Sequence, residues 1–299
     1  MINQKKIWYP FVLLTTLTII FGCSNSNDRM SEQDPFSAMS YNIRFDNPAD
    51  GEKSWDNRKD QLVNLIHFYE PDFLGTQEGL RHQLDYIIEQ LPYYQWIGVA
   101  RGNGSMEGEF SALFYDSRRF KLIKDTEQTF WLSDTPSEPS KGWDADYLRI
   151  VTLGMFKDKH TNKKVTILNT HFDHVGETAR LESAKLIVET IQEDYANLPV
   201  ILMGDFNATP DSEPYQTLTS GSSNLEDAFY TSKTPNAGPS FTFEGFSVKS
   251  ESEKRRIDYI FTNIILDVKK HAIISSFNDF RYPSDHMPVI ATMEFNKLD

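Results

Sequence analysis

The amino-acid sequence predicts an α/β fold in which two mixed β-sheets pack together and helices cover their outer faces. Short apolar runs, typical of buried strands, alternate with segments of helical periodicity through the first half of the chain. Residues 36–299 have an even composition with no second linker and no internal repeat, which indicates a single domain with a large core. This mixture of elements favours two packed sheets over one doubly wound sheet.

The first strand and helix open this domain. Residues 36–41 are mostly apolar and predict a strand that ends at Asn42. Residues 58–69 carry apolar side chains at helical spacing, and Pro71 ends that helix. Its apolar positions are Leu62, Leu65, Ile66 and Tyr69.

A second strand and helix follow in the same order. Residues 72–76 predict a short strand that ends at Gln77 and Glu78. Apolar side chains then recur at helical spacing until a proline closes the helix; they are Leu80, Leu84, Ile87, Ile88 and Leu91. Residues 94–99 and 110–115 predict two more strands on either side of a glycine-rich turn.

The later elements repeat this alternation. Residues 164–169 predict a strand that ends at Thr170 and His171. A long helix is marked by one apolar face, formed by Leu181, Ala184, Val188 and Ile191. Residues 198–203 predict a buried strand, and residues 257–262 and 287–295 complete the core.

Gly204-Asp205-Phe206-Asn207 comes directly after the strand at residues 198–203. Residues two apart in an extended chain point to the same side, so Asp205 and Asn207 face one site if the extended conformation continues. A carboxylate and a carboxamide on one face bind a hard cation, hold a water, or do both.

Similar polar residues lie at or beside four other predicted strands. The full set is Asn42, Glu78, His171 with Asp173 and His174, Asp205 with Asn207, and Asp285 with His286. Asp258 lies within an apolar strand, where an unpaired charge costs several kcal/mol, so it needs a partner. Sites in α/β sheets are assembled at strand ends. Carboxylates and amides dominate this set, and they indicate Mg²⁺ before Mn²⁺, with Ca²⁺ also compatible.

Six motifs occur in an order that resembles the endonuclease/exonuclease/phosphatase superfamily, which includes deoxyribonuclease I, neutral sphingomyelinases and inositol polyphosphate 5-phosphatases. They are Ser40-Tyr41-Asn42, Gln77-Glu78, Asn169-Thr170-His171, Gly204-Asp205-Phe206-Asn207, Arg256-Ile257-Asp258-Tyr259 and Ser284-Asp285-His286. A single tripeptide is a weak signal, but six in order are specific. The resemblance implies a four-layer α/β/β/α sandwich that hydrolyses phosphate esters with a divalent metal.

The resemblance also implies roles for individual residues. Glu78 would be the main metal ligand, with Asn42 beside it and Asp285 assisting the metal or the water network. Asp205 would orient or deprotonate the attacking water, and Asn207 would position water or phosphate.

Two imidazoles complete the implied site. His286 would contact the phosphoryl oxygens and be held by Asp258, while His171 would be a second imidazole at the phosphate. A carboxylate fixes an imidazole's orientation and favours its protonated form. The alternative for Asp258 is a structural ion pair with Arg255 or Arg256.

Residues 171–174 read His-Phe-Asp-His, a run also typical of a transition-metal site in a zinc hydrolase. Hydrolases that build dinuclear zinc sites from such a run normally carry another His-x-His just upstream, which this sequence lacks. Asp173 and His174 are therefore expected either to face the substrate or to support the residues that contact it. Trp143 and Arg149, in a polar and aromatic loop, are further candidate substrate contacts; a solvated loop arginine is the alternative for Arg149.

The N-terminus has the layout of an export signal. Lys5 and Lys6 precede an apolar run that is short for a membrane span, and Gly22-Cys23 follows. Because Ile20-Phe21-Gly22-Cys23 resembles a bacterial lipobox, residues 1–22 are expected to be a lipoprotein signal peptide. Cys23, the only cysteine, would be lipidated at the head of a tether over residues 23–35. An uncleaved anchor or a plain signal peptide is the alternative.

These features predict a protein of the bacterial cell envelope, lipid-anchored outside the cytoplasm. Ser24 after Cys23 favours the outer membrane over the inner. A monomer is expected.

The net charge of the chain limits the classes of substrate that it is expected to bind. The whole chain carries −13, and loss of residues 1–22 removes two lysines and no acid, which leaves −15. Such a surface repels polyanions, so no strong nucleic-acid binding is expected. The predicted function is hydrolysis of a small phosphorylated molecule or a lipid headgroup, by metal-assisted in-line attack of water. An extracellular nuclease of the same fold and a non-catalytic ligand-binding lipoprotein are the alternatives.

Overall fold

The computed structural model describes Met1 and residues 34–246, 250, 253–275 and 282–296. Cys23 and the rest of residues 2–33, on which the signal peptide and most of the tether were predicted, lie outside the described residues. Residues 31–299 belong to one compact unit. Among the helices that the structure describes, none combines the length and the apolar character that a bilayer crossing requires.

Thirteen strands occur in the described residues and form two sheets. In chain order they are β1 (Phe36–Asn42), β2 (Phe73–Gln77), β3 (Tyr94–Ile97), β4 (Leu113–Asp116), β5 (Phe120–Leu122), β6 (Gln128–Trp131), β7 (Ile150–Asp158), β8 (Lys164–His171), β9 (Val200–Asp205), β10 (Leu225–Asp227), β11 (Asp258–Asn263), β12 (Leu266–Ile273) and β13 (Val289–Phe295). The first sheet has the order β12-β13-β1-β2-β4-β3. The second has the order β10-β11-β9-β8-β7-β5, with β6 also paired to β7.

Each sheet contains one parallel pair among antiparallel ones. β1 runs parallel to β2 in the first sheet, and β8 runs parallel to β9 in the second. The carboxyl ends of parallel neighbours meet at one edge of a sheet. Both pairs therefore bring two polar strand ends together.

Helices cover the outer faces. A 3₁₀ helix (Pro48–Lys53) precedes α1 (Trp55–Tyr69), and the other helices are α2 (Arg81–Gln90), α3 (Glu177–Asp194), α4 (Glu213–Leu218) and α5 (Ala228–Thr231). Buried side chains of α1 and α2 pack with β1 and β2, as Leu62 does with Met39. On the second sheet, Ile187 of α3 packs with Leu202 of β9.

The remaining core lies between the sheets. Phe73 of the first sheet and Phe156 of the second stack edge to face, with ring centroids 5.1 Å apart. Ile167 and Met203 belong to the same buried cluster. The layers are therefore α/β/β/α, which confirms the predicted fold class.

Several elements differ from the sequence prediction. α1 begins at Trp55, three residues before the predicted start, because Ser54 is already extended and ends the preceding turn. The strand predicted over residues 110–115 is β4 at 113–116, while Phe110 makes isolated bridges to Gly79 and Ala100. The sequence prediction also lacked strands β5, β6, β10 and β12 and helices α4 and α5.

Charged side chains fix the start of β1, at the end of the sheet away from Asn42. Arg119 donates to the backbone oxygens of Asp34, at 2.9 Å, and Pro35, at 2.7 Å. The same guanidinium lies 3.1 Å from a carboxylate oxygen of Asp158. His160 Nδ1 lies 2.9 Å from a carboxylate oxygen of Asp34. The chain therefore enters the domain through a fixed charged contact.

Candidate active site

The predicted site residues come together at one end of the sandwich. Asn42, His171 and Asp205 are the last residues of β1, β8 and β9. Asp258 opens β11 directly opposite Asp205 in the antiparallel register. Glu78 follows β2 with a φ of 65°, a left-handed conformation that costs a non-glycine residue about 1 kcal/mol and is common at functional sites.

Asp205 lies at the centre of this group and is 1% exposed. Its Oδ2 accepts a hydrogen bond from Asn42 Nδ2 at 3.0 Å, and its Oδ1 accepts one from the backbone N–H of Asn207 at 3.0 Å. Burial and the nearby carboxylate of Asp258 raise the pKa of Asp205 to about 7, although the positive charge of His286 and the hydrogen bonds from Asn42 and Asn207 lower it. The carboxylate is therefore poised to take up a proton near neutral pH.

Asp258 has a histidine as its partner. His286 Nδ1 lies 2.9 Å from Asp258 Oδ2, and Oγ1 of Thr242 accepts the Asp258 N–H at 3.1 Å. Burial lowers the pKa of His286, but the carboxylates of Asp258 and Asp205 outweigh it and raise that pKa well above its usual range. Arg256 pairs instead with Asp227, at 2.6 Å. The buried charge of Asp258 is thus matched by an imidazolium.

His171 has the opposite protonation preference. Its Nε2 lies 3.2 Å from Asn207 Nδ2 and 3.4 Å from Asp205 Oδ2. Burial, followed by the positive charges of Arg149 and Arg101, holds the pKa of His171 well below its usual range. The site therefore combines a charged and a neutral imidazole, whose Nε2 atoms lie 3.7 Å (His286) and 3.4 Å (His171) from Asp205 Oδ2.

Glu78 and Asn42 form the other side of the site. Asn42 Nδ2 donates to Glu78 Oε1 at 3.0 Å, and the Phe45 N–H donates to Glu78 Oε2 at 3.1 Å. Asn42 Oδ1 accepts the N–H of Arg44 at 3.0 Å. Asn42 thus presents its amide nitrogen to the carboxylates, and ligation through its oxygen requires the amide to turn.

The donor set fits a hard divalent cation. Glu78, Asp205 and Asp285 all line the same cleft. Burial raises the pKa of Asp285, and the negative charge of Glu78 adds to that rise. A divalent metal among these oxygens would offset the desolvation and repulsion that disfavour their charged forms. Ligand atoms of Asp205, Asp258 and His286 also lie within 4.8 Å of one another, but the Asp258–His286 hydrogen bond already occupies two of them.

The cleft has a volume of about 560 Å³, within the range of small-molecule sites. Eight predicted residues line it: Glu78, Arg149, His171, His174, Asp205, Asn207, Asp285 and His286. Six residues outside the predicted set of site residues also line it: Arg44, Phe45, Arg101, Glu109, Tyr147 and Phe243. Trp143 does not belong to the described lining of the cleft.

Asp173 lies beneath the cleft rather than in it. Its carboxylate accepts four backbone N–H groups at 2.8–3.1 Å, from Asp146, Tyr147, Val175 and Gly176. Burial alone would raise the pKa of Asp173, but these hydrogen bonds lower it far below its usual range. The structure therefore gives Asp173 a supporting position, one of the two positions expected for it.

Arg149 rests on Asp173 and lines the cleft. Its Nε lies 3.4 Å from Asp173 Oδ2, and its Nη2 lies 3.2 Å from His174 Nδ1. Arg149 is 5% exposed, and its buried Nη1 has no hydrogen-bond partner among the described residues. A buried guanidinium with an unused donor suits an anionic ligand.

The sequence profile of the Endonuclease/Exonuclease/phosphatase family matches residues 39–286. The chain belongs to this family. A solved family structure from Bacteroides vulgatus is 37% identical with a TM-score of 0.84, over 88% of this chain and 100% of that one. A mannosyl-6-phosphatase from Bacteroides thetaiotaomicron is 36% identical with a TM-score of 0.81, over 87% of this chain and 100% of that one. An uncharacterized protein of Acanthamoeba polyphaga mimivirus is 31% identical over 255 residues, 80% of this chain and 92% of the viral one.

Family membership settles the class of reaction. Members of the family are phosphoester hydrolases that generally use a divalent metal, and the chain is a hydrolase of this kind. The carboxylates described above provide a site where such a metal can bind.

Proposed function

We propose that this protein hydrolyses phosphate monoesters of small hydroxylated molecules, with Mg²⁺ as the preferred metal and Mn²⁺ as a substitute. The observation that carries the proposal is the arrangement around Asp205, where a base, a charged imidazole and an arginine with an unused donor face one small cleft. The related mannosyl-6-phosphatase supports a monoester of a sugar over a diester.

Glu78 and Asp285 would hold the metal, which when bound would neutralise negative charge that develops on the phosphoryl group. The preference for Mg²⁺ follows from the oxygen donors. A zinc site at His171 and His174 is disfavoured, because His174 Nδ1 already lies 3.2 Å from the guanidinium of Arg149.

The reaction that these residues support is attack by one water on phosphorus. Asp205 accepts a proton from the water while Asn207 holds its orientation. The bond from the water oxygen to phosphorus forms as the bond to the ester oxygen breaks, and the leaving oxygen takes a proton from solvent. The products are inorganic phosphate and an alcohol.

Two cationic groups would stabilise the transition state. The His286 imidazolium, held by Asp258, would donate to a phosphoryl oxygen, and Arg149 Nη1 would donate to another. Because Asp258 and Asp173 fix these two groups, little reorganisation accompanies the reaction.

The test is hydrolysis of p-nitrophenyl phosphate and bis-p-nitrophenyl phosphate by residues 24–299, with Mg²⁺, Mn²⁺, Zn²⁺ or EDTA. We expect turnover of the monoester that needs Mg²⁺ or Mn²⁺ and that Glu78→Gln and Asp205→Asn each reduce strongly. Preference for the diester would overturn the choice of ester, and zinc-only activity would overturn the choice of metal. A protein that binds these metals without hydrolysing either ester would favour the ligand-binding alternative.

A nuclease is the weaker candidate. The net charge of the chain is −13, so a nucleic acid would be repelled at distances below the screening length. Salt-dependent binding of single-stranded or double-stranded DNA, with a steep slope against log salt, would support the nuclease instead.

We also propose that the mature protein is a bacterial lipoprotein anchored through Cys23. The support is the basic and apolar segment that ends at Gly22-Cys23. Metabolic labelling with a radioactive fatty acid should mark the wild type and leave Cys23→Ser unlabelled and released from membranes. Membrane attachment of the Cys23→Ser protein would indicate an uncleaved anchor.

A further inference from the structure

Arg101 and Glu109 form an ion pair in the wall of the cleft, on the loop between β3 and β4. Arg101 Nη2 lies 2.7 Å from Glu109 Oε1, and the Arg101 N–H donates to the backbone oxygen of Glu109 at 3.0 Å. Trp131 Nε1 donates to the Arg101 backbone oxygen at 2.8 Å, and the N–H of Gly102 donates to the oxygen of Glu107 at 2.9 Å. The backbone of both residues is therefore fixed, and the pair is pre-positioned.

The Arg101–Glu109 pair is largely buried, yet a ligand in the cleft can still contact it. The side chains of Arg101 and Glu109 are only 14% and 17% exposed, and both line the cleft. A buried ion pair often contributes no net stability, because the cost of removing two charges from water offsets their attraction. A position in the cleft therefore suggests that the remaining donors and acceptors of the pair serve a ligand.

The pair lies close to the reacting groups. Arg101 and Glu109 also line a small recess together with Glu78, Arg149 and His171. The Arg101 guanidinium lies 5.2 Å from the centre of the Tyr147 ring, which is 47% exposed. The phosphoryl group of a substrate would contact Arg149 and a metal held by Glu78. The part of the substrate next to the ester oxygen would therefore lie against the Arg101–Glu109 pair.

The chemistry of the pair points to hydroxyl groups. A carboxylate accepts the hydrogen of a hydroxyl and a guanidinium donates to its oxygen, so the two together match neighbouring hydroxyls of one molecule. A phosphoryl group is less suited, because Glu109 would repel it and Arg149 already offers an unused donor. We infer that Arg101 and Glu109 recognise hydroxyls of the esterified alcohol, and that they select sugar or polyol phosphates over hydroxyl-free esters. This inference rests on the proposed phosphatase activity.

The test compares glucose 6-phosphate and mannose 6-phosphate with p-nitrophenyl phosphate, which lacks alcohol hydroxyls. Glu109→Gln and Arg101→Met should each lower kcat/KM for the hexose phosphates at least about tenfold, because a hydrogen bond to a charged group is lost. Hydrolysis of p-nitrophenyl phosphate by Glu109→Gln should change by less than about twofold. Glu182→Gln, in an exposed pair with Lys185 on α3 at 2.7 Å, is the matched control and should leave both substrates unaffected.

Two results would overturn the inference. An equal loss on both substrates would assign the pair to the phosphoryl group or the metal, and no loss on either would make the pair structural. Circular dichroism checks that each variant is folded. If Arg101→Met does not fold, the test relies on Glu109→Gln, which conserves the size and shape of the side chain.

Calorimetry separates this inference from the proposed function. If the wild type hydrolyses none of the three esters, the proposed function fails, and binding of glucose 6-phosphate and inorganic phosphate is measured with Mg²⁺ instead. Glu109→Gln should then weaken binding of the sugar phosphate and leave inorganic phosphate unchanged. Equal weakening, or no preference of the wild type for the sugar phosphate, would overturn the inference.

Discussion

Asp173 and Asp205 are both buried aspartates just past or at the end of neighbouring parallel strands, β8 and β9, and each is 1% exposed. Their surroundings nevertheless drive the two carboxyls in opposite directions. Four backbone N–H groups converge on Asp173 and hold its pKa far below the usual range. Asp205 receives one backbone N–H and one amide, faces the carboxylate of Asp258, and has its pKa raised to about 7.

The difference lies in the number of donors that replace water. A carboxylate that regains its hydrogen bonds inside the protein stays ionised and holds the surrounding loops together. A carboxylate that regains only part of them is destabilised and ready to take a proton or bind a cation. The first kind supports the active site, and we propose that the second takes part in the chemistry.

The largest effect expected from this comparison is on turnover. Asp205→Asn removes the proposed base and should reduce kcat for p-nitrophenyl phosphate by at least roughly 10²-fold, while the fold is retained. Steady-state kinetics with Mg²⁺ measures the turnover, and a circular dichroism spectrum checks the fold. Turnover close to that of the wild type would remove Asp205 from the mechanism.

Asp173→Asn should act on stability instead. The amide keeps one acceptor oxygen but turns an NH₂ group toward backbone donors, so a cost of about 2–3 kcal/mol in the free energy of unfolding is expected. Urea denaturation with Asp205→Asn as the comparison measures this cost. If Asp173→Asn were as stable as the wild type yet inactive, the assignment of a supporting role would be wrong.

Asp258→Asn should move the pH profile. Asp258 raises the pKa values of both Asp205 and His286, so removing its charge lowers both. The acidic and alkaline limbs of kcat/KM should then shift to lower pH by about one unit, as expected for a neighbouring charge. A profile recorded from pH 5 to 9 checks this, and an unchanged alkaline limb would mean that His286 is not the group that titrates there.

The smallest effect concerns the thermal stability of the metal-free protein. The folded-state pKa of Asp205 is raised from 3.8 to about 7. The favourable contribution of protonated Asp205 to the free energy of unfolding is therefore fully present below pH 3.8 and is lost as the pH rises through 7. In EDTA, Asp205→Asn should therefore exceed the wild type in Tm by roughly 3–6 °C at pH 8, and by much less at pH 4.5. A lower Tm at pH 8 would show that Asp205 is not destabilised by its burial.

The strand-end residues could be predicted from the sequence because topology places them. Asn42 and Asp205 each follow an apolar run, and parallel pairing brings such ends together whatever the intervening loops do. The protonation behaviour of Asp173 could not be predicted, since its four donors are backbone groups of residues 146, 147, 175 and 176. Every residue except proline has a backbone N–H, so the sequence does not show which of these groups will converge on a carboxylate.

Arg101 and Glu109 were missed for a different reason. In the sequence they are two charges in a glycine-rich turn, where a solvated pair is the ordinary expectation. Tertiary contacts, such as the bridges of Phe110 to Gly79 and Ala100 and the hydrogen bond of Trp131 to Arg101, bring this loop to the cleft. β12 was missed because its register shifts between Val268 and Lys270, which interrupts the alternation that identifies a strand.

The contact of Arg119 with Asp34 and Pro35 has a practical consequence for handling the enzyme. β1 carries the chain from that contact to Asn42 in seven residues, a rise of roughly 20 Å at about 3.3 Å per residue. A fusion partner, bead or electrode coupled directly before Asp34 would thus be attached at the end of β1 that is remote from the cleft. Immobilised in this way, the enzyme would keep its cleft open to substrates arriving from solution.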